Sequence, residues 1–171
     1  MSVKKLLHNL PLPPGQVVGM IASVVLDTYR TARLPGPRMA HRVAGAMLMA
    51  TGCAFTSLAV AERRRRESEE FDLERPQTLV TTGPYAVSRH PMYVGWWLIH
   101  LGFGVSRGSA WVMATVPLAI LLEHRAVLSE ERQLAQSFGQ RFERYAERVP
   151  RYLSLASART VTVHGSAVDP K

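Results

Sequence analysis

Residues 43–61 form a run of 19 residues without a charged side chain, and this run limits the possible folds more than any other feature. About 20 apolar residues in a helix cross the hydrocarbon core of a bilayer. The run is also rich in small residues, among them Gly45, Gly52 and Ser57, which let helices approach closely in lipid. The pattern predicts a transmembrane helix, with a buried helix of a soluble bundle as the alternative.

Three further apolar stretches, 16–26, 92–105 and 109–122, predict additional helices. The last two have 14 residues each and flank a polar tip at 106–108, which predicts a helical hairpin whose second arm is kinked by Pro117. Fourteen residues make a helix about 21 Å long, so each arm must extend into its flanks in order to cross. The stretch 16–26 is shorter still, and it either crosses at a tilt, lies in the interface or enters halfway.

The polar connections carry the signals for membrane orientation. A Pro-Gly-Pro sequence at 35–37 predicts a loop over 30–42. Four arginines at 63–66 lie just after the longest apolar run and predict the cytoplasmic side. The acidic residues of 67–74 nearly neutralise them, which favours a solvated helical extension with internal ion pairs. If all four stretches cross, the basic loop 30–42 lies outside, against the positive-inside rule.

From Glu123 to Arg148 apolar residues recur at steps of three and four, which predicts an amphipathic helix interrupted at Gly139 and ended by Pro150. The sequence therefore predicts an all-α, polytopic helical membrane protein. It has about four transmembrane segments, a helical hairpin and a C-terminal amphipathic helix on the cytoplasmic side. Residues 1–153 are expected to form one domain and 154–171 a flexible tail.

The charge balance excludes several classes of protein. The net charge is +8, and all but three of the 21 basic residues are arginines. These arginines do not line one periodic face, and no nucleic-acid-binding motif is present, so a nucleic-acid partner is not expected. One cysteine, Cys53, excludes an internal disulfide and a thiolate-rich metal site. The six histidines form no helical metal signature, and no metal site is predicted.

The densest group of chemically distinctive residues lies between Gln77 and Trp97. Arg89 and His90 directly precede Pro91 at the start of an apolar helix. A helix N-terminus offers unpaired N–H groups and a positive dipole end, so this segment is a candidate carboxylate site. An equally favoured interpretation is an interfacial anchor, with an arginine on lipid headgroups and the tyrosine and tryptophans as an aromatic belt.

A second candidate is the pair Glu130 and Glu131, which precedes the apolar stripe of the C-terminal helix. Adjacent helical residues point about 100° apart, so at most one of them faces a pocket. The alternative is that both are solvated on a polar face.

These two segments resemble the signature of the isoprenylcysteine carboxyl methyltransferase family. Its first half is matched by LVTTGPY at 79–85 and RHPMYVGW at 89–96. Its second half is matched by Glu130-Glu131, Leu134, Phe138-Gly139, Tyr145 and Val149-Pro150-Arg151. The resemblance covers about 77–151, close to half of the chain. The preceding part is similar only in being apolar and helical.

That family and the related phospholipid N-methyltransferases are small membrane enzymes that use S-adenosylmethionine. The resemblance implies that the following residues bind the cofactor: Gln77, Thr78, Leu79, Val80, Tyr85, His90, Pro91, Met92, Tyr93 and Glu130. A histidine common in the family is replaced by Gln77. The family's acceptor-binding arginine falls in register on Ala126, and the nearest basic residue is Arg125. The residues expected to act in catalysis are Arg89, Arg125 and Glu130.

The chemistry of the side chains agrees with this interpretation. Glu130 can pair with the ammonium of the cofactor, and the amides near 90–93 can meet its carboxylate. A carboxylate acceptor needs no general base but does need a cation, which Arg89 or Arg125 supplies. An amine acceptor must lose a proton, and His90 is the nearest candidate base.

The predicted function is therefore methyl transfer from S-adenosylmethionine to a lipophilic acceptor that enters from the bilayer. Prenylcysteine carboxylate, another isoprenoid or fatty acid, a lipid amine and a small thiol all remain open as acceptors, and 43–61 packs within the chain or against a second copy. One alternative is an NADPH-dependent sterol-type reductase, which shares an Arg-His-Pro-x-Tyr-x-Gly stretch but usually has an acidic residue where Trp96 stands. The other is a non-catalytic membrane binding protein of the same fold.

Overall fold

The computed structural model describes residues 13–66 and 78–154. Five α-helices lie in these two ranges, and we label them in chain order. They are α1 (Pro14–Tyr29), α2 (Arg38–Arg66), α3 (Pro91–Ser106), α4 (Val112–Phe138) and α5 (Gln140–Arg148). A single 3₁₀ turn, Gly83–Ala86, precedes α3. The described part of the chain is thus helical, as the apolar patterning predicts.

Helices α1 to α4 run alternately up and down between two ends of the bundle. At the hairpin end, the loop after α1 pairs with the α3–α4 turn through an antiparallel bridge between Arg33 and Ser109. The indole of Trp111 donates a hydrogen bond of 2.8 Å to the carbonyl of Arg30. Arg107 lies 4.0 Å from Asp27, which neutralises part of the basic charge at this end. The opposite end, where α2 finishes and α3 begins, carries the candidate site described below.

Among the described helices, α2 and α3 pack most closely, and glycines permit it. A Cβ on Gly45 would lie 2.5 Å from the carbonyl oxygen of Gly102. About two helical turns further along, a Cβ on Gly52 would meet the carbonyl oxygen of Gly95 in the same way. A Cβ on Gly95 would in turn meet the hydroxyl of Thr56. Backbones this close gain packing contacts that larger side chains would block. Gly45 and Gly52 therefore pack within the chain, whereas Ser57 on the same run is exposed.

A buried polar cluster joins α1, α3 and α4 inside the bundle. Glu123 accepts hydrogen bonds from the backbone N–H of Gln16 at 3.1 Å, from its side-chain amide at 2.7 Å, and from the indole of Trp97 at 3.3 Å. His100 lies 2.8 Å from the side-chain oxygen of Gln16 and 3.2 Å from the hydroxyl of Thr115. A carboxylate at the start of α1 satisfies unpaired N–H groups and complements the helix dipole. The cluster fixes the short helix α1 against the two helices that carry the site.

The element boundaries depart from two of the predictions. The second hairpin arm and the first half of the amphipathic helix form one helix, α4, of 27 residues, which continues past Pro117. The predicted loop 30–42 is shorter, because α2 begins at Arg38. The interruption at Gly139 is confirmed: this residue has φ 51° and separates α4 from α5. The extension predicted over 67–74 and the tail 155–171 lie outside the described residues.

Two of the helices, α2 and α4, are long and apolar enough to cross a bilayer, by length and composition. Only 22% and 33% of the residues in their most apolar windows are buried within the protein. The large apolar side chains that face outward include Val18, Ile21, Val25, Val43, Met47, Leu58, Met113, Leu118, Leu121 and Leu122. This surface is too apolar for water and suits lipid chains. The protein is an all-α membrane protein.

Candidate functional site

An open cavity lies at the end of the bundle where α2 finishes and α3 begins. The lining residues are Arg63, Thr78, Leu79, Val80, Tyr85, Arg89, His90, Pro91, Met92, Tyr93, Glu130, Leu134 and Tyr145. The cavity therefore joins the two sequence segments that form the motif.

Glu131 organises the polar side of this cavity from behind. Its Oε2 accepts hydrogen bonds from Nη2 of Arg151 at 2.7 Å and from Nε at 3.0 Å. Its Oε1 lies 3.2 Å from Nη1 of Arg89 and 3.2 Å from Nε2 of His90. The Glu131 side chain is 9% exposed, so these charges interact at reduced screening. The hydrogen bonds to Glu131 also raise the pKa of Arg151 above its usual value.

Glu130 takes a different position from its neighbour. Its side chain is 36% exposed and lines the cavity, while its Oε2 lies 3.7 Å from Nδ1 of His90. The two ring nitrogens of His90 therefore face two different carboxylates. Glu130 presents a carboxylate to the cavity. Both oxygens of Glu131, by contrast, are paired with side chains of the protein.

The segment after α5 holds the loop before α3 in place. The backbone N–H of Arg89 donates to the carbonyl of Pro150 at 3.0 Å, and Ser88 donates to the carbonyl of Arg151 at 3.2 Å. The hydroxyl of Tyr145 donates a buried hydrogen bond of 2.7 Å to the carbonyl of Tyr85. Burial raises the pKa of Tyr145 above its usual range, so the hydroxyl remains a donor. These contacts explain why the two halves of the motif occur together although they are far apart in sequence.

A cluster of aromatic side chains lies next to the cavity, along α3. Tyr152 packs edge-on against Trp97 with ring centroids 4.6 Å apart, and its hydroxyl lies 2.8 Å from Nδ1 of His124. Trp97 also donates to Glu123. The buried polar cluster of the bundle is therefore in contact with the residues around the cavity.

Most of the predicted site residues come together, Arg125 does not, and Gln77 is not described. Nine of the ten residues expected to bind the cofactor line the cavity, and the tenth, Gln77, lies outside the described residues. Of the residues expected to act in catalysis, Arg89 and Glu130 line the cavity. Arg125 is exposed on α4 and is not part of the lining. The roles of all these residues in binding and catalysis stay predictions.

Three lining residues were not predicted as site residues: Arg63, Leu134 and Tyr145. Leu134 and Tyr145 belong to the motif, but the sequence suggested only a helical stripe for them. Arg63 looks identical to the three arginines that follow it. The available signal was its spacing, because it continues the buried face of α2 that includes Gly52 and Ala59.

Residues 40–141 match the family model described as phospholipid methyltransferase. The match covers more than half of the chain and includes most of the cavity lining, so the chain belongs to this family.

Within residues 13–66 and 78–154, no group of three or more histidine, cysteine, aspartate or glutamate side chains is placed to hold a metal ion.

Three curated proteins are similar to this chain. A cobalt-zinc-cadmium resistance protein of Cupriavidus metallidurans is 44% identical over 95 residues, which are 53% of this chain and 44% of that protein. A nickel-cobalt-cadmium resistance protein of Alcaligenes xylosoxydans xylosoxydans is 34% identical over 143 residues, 81% of this chain and 60% of that protein. A protein-S-isoprenylcysteine O-methyltransferase of Schizosaccharomyces pombe is 25% identical over 152 residues, 87% of this chain and 57% of that protein. The chain thus spans about half the length of these relatives.

Proposed function

We propose that this chain is a membrane methyltransferase that uses S-adenosylmethionine and methylates a lipophilic carboxylate. The observation that carries the proposal is the cavity that Glu130, Arg89 and His90 line together at the end of an apolar helical bundle. The family and the isoprenylcysteine methyltransferase relative support this reading over an NADPH-dependent reductase.

The residues around the cavity fit the cofactor in charge and in chemical type. Glu130 offers a carboxylate for the ammonium of the amino acid head. The Nε of Arg89 is buried and has no hydrogen-bond partner among the described residues, so an anion in the cavity would satisfy it. Tyr85 and Tyr93 provide aromatic surface for the adenine or for the sulfonium. When bound, S-adenosylmethionine supplies a methyl group, and ester formation breaks the carbon–sulfur bond while the electron pair stays on sulfur.

The protein's own part in this reaction is alignment. Glu131 holds Arg89 and His90 in fixed positions through contacts of 3.2 Å. Correct alignment of two reactants can supply roughly 7–11 kcal/mol of the barrier. Arg89 is the cation that would hold the carboxylate of the acceptor, since this residue lines the cavity.

The environment of His90 favours a carboxylate over an amine as acceptor. An amine must lose a proton before or during transfer, and His90 is the nearest base. Both of its ring nitrogens face carboxylates, however, and the residue is only 4% exposed. A carboxylate acceptor needs no base and therefore fits this arrangement better.

Methyl acceptor and cofactor are tested separately. Isothermal titration of the purified protein in detergent with S-adenosylhomocysteine should show binding, and Glu130→Ala should weaken it. No binding at millimolar ligand would end the proposal. Transfer of tritiated methyl groups to membrane lipid extract should then yield a base-labile methyl ester. A base-stable methylamine product would retain the methyltransferase but refute the carboxylate.

We further propose that the cofactor site faces the cytoplasm and that the acceptor enters sideways between the helices. The exposed apolar face of α2 and α4 supports entry from the bilayer. Labelling of Arg65→Cys in sealed vesicles with a membrane-impermeant maleimide should place this end of the bundle, after the exposed native thiol Cys53 has been replaced by serine.

A further inference from the structure

Arg63 stands apart from the three arginines that follow it. It is 6% exposed and lines the cavity, whereas Arg64, Arg65 and Arg66 are exposed. An arginine cluster after an apolar run is ordinarily a signal for membrane orientation. That role requires no burial, because its charges act on the surface. Burial at the cavity therefore distinguishes Arg63 from the surface charges of the cluster.

The register of α2 explains how this side chain reaches the cavity. Gly52 and Thr56 contact Gly95 on α3, and Ala59 packs in a cluster with Met92 near the start of α3. Arg63 follows Ala59 by four residues, which is one helical turn on the same face. It thus lies near the N-terminus of α3, where it lines the cavity together with the loop residues Val80 and Tyr85.

The charges that face the cavity show what such a residue can bind. Arg89 is largely neutralised by Glu131 at 3.2 Å, although its Nε remains without a hydrogen-bond partner among the described residues. Glu130 is the carboxylate of the lining, and Arg63 is its second guanidinium. A guanidinium at a buried site binds a carboxylate through two parallel hydrogen bonds.

We propose that Arg63 is a binding residue that holds a carboxylate group of the ligand in this cavity. This inference rests on the proposed function. Two carboxylates are chemically equivalent here, that of the cofactor's amino acid head and that of an acid acceptor. A purely structural role for Arg63 makes a different prediction, because it would affect all ligands alike.

The test compares pairs of ligands that differ only in the carboxylate. The first pair is S-adenosylhomocysteine and its decarboxylated analogue, and the second is N-acetyl-S-farnesylcysteine and its methyl ester. Binding of each to the detergent-purified protein is measured by calorimetry. We expect Arg63→Gln to weaken binding of one acid by roughly tenfold or more while leaving its carboxylate-free partner within about twofold. The affected pair identifies the source of the carboxylate.

The matched control is Arg65→Gln, which removes the same charge from the same helix but from a side chain that is 80% exposed. It should leave all four affinities unchanged. If Arg63→Gln does not fold, Arg63→Lys keeps the charge without the planar fork and should lose part of the discrimination.

Equal weakening within both pairs, or no weakening in either, overturns the assignment. A wild-type protein that binds no S-adenosylhomocysteine instead refutes the proposed function. The two failures are therefore distinguishable.

Discussion

Substitutions of the two adjacent glutamates should have different effects: loss of Glu131 should lower the stability of the protein, and loss of Glu130 should weaken ligand binding. Glu131 is 9% exposed and touches Arg151, Arg89 and His90, whereas Glu130 is 36% exposed and lines the cavity. Replacing Glu131 by Gln leaves two guanidinium groups without their counter-ion. Replacing Glu130 by Gln removes a partly exposed charge whose contact with His90 is long, at 3.7 Å.

The magnitudes follow from these environments. Breaking a buried ion pair costs about 3–5 kcal/mol, and Arg151 is 35% exposed, so water recovers part of the loss. We expect about 3 kcal/mol for Glu131→Gln, which is about 6–12 °C in melting temperature for a chain of this length. For Glu130→Gln we expect a change within about 0.5 kcal/mol in stability. Its loss of a charge-assisted hydrogen bond, about 1.5–3 kcal/mol, should weaken S-adenosylhomocysteine binding about 10- to 140-fold.

Melting of the detergent-purified variants, followed by tryptophan fluorescence, measures the first quantity, and calorimetry below the melting range measures the second. The reasoning is refuted if Glu131→Gln melts with the wild type. It is equally refuted if Glu130→Gln melts as early as Glu131→Gln, because the two carboxylates would then share one role.

Three further predictions use other parts of the molecule. Gly95→Ala should destabilise the α2–α3 pair by about 1–3 kcal/mol, since the added methyl group meets the hydroxyl of Thr56; an unchanged melting temperature would contradict the close packing. Tyr145→Phe should lower stability by about 1 kcal/mol because it removes the 2.7 Å hydrogen bond to the carbonyl of Tyr85, and the same melting assay checks it. Arg125→Gln should leave cofactor affinity and lipid methylation within about twofold, since this side chain is exposed and outside the cavity lining; a large loss of methylation would restore Arg125 as an acceptor residue.

The sequence by itself determined the helical class, the two motif segments and most of the cavity lining. Apolar runs of this length have few stable solutions in lipid other than helices, because every backbone N–H and C=O must be paired. The interruption at Gly139 was also predictable, since a residue with φ 51° favours glycine. The fusion of the second hairpin arm with the amphipathic helix was missed, because a change from apolar to amphipathic pattern does not itself end a helix.

Only the tertiary structure decided which charged residues face the cavity. Four arginines in succession, and two glutamates in succession, are indistinguishable by composition. Arg63 is buried because α2 packs on α3 in the register that the glycine contacts set. Glu131 rather than Glu130 is neutralised because Arg151 reaches it from beyond α5. Local sequence determines which residues share one face of a helix. Which neighbouring element that face contacts depends on residues that are far apart in the chain.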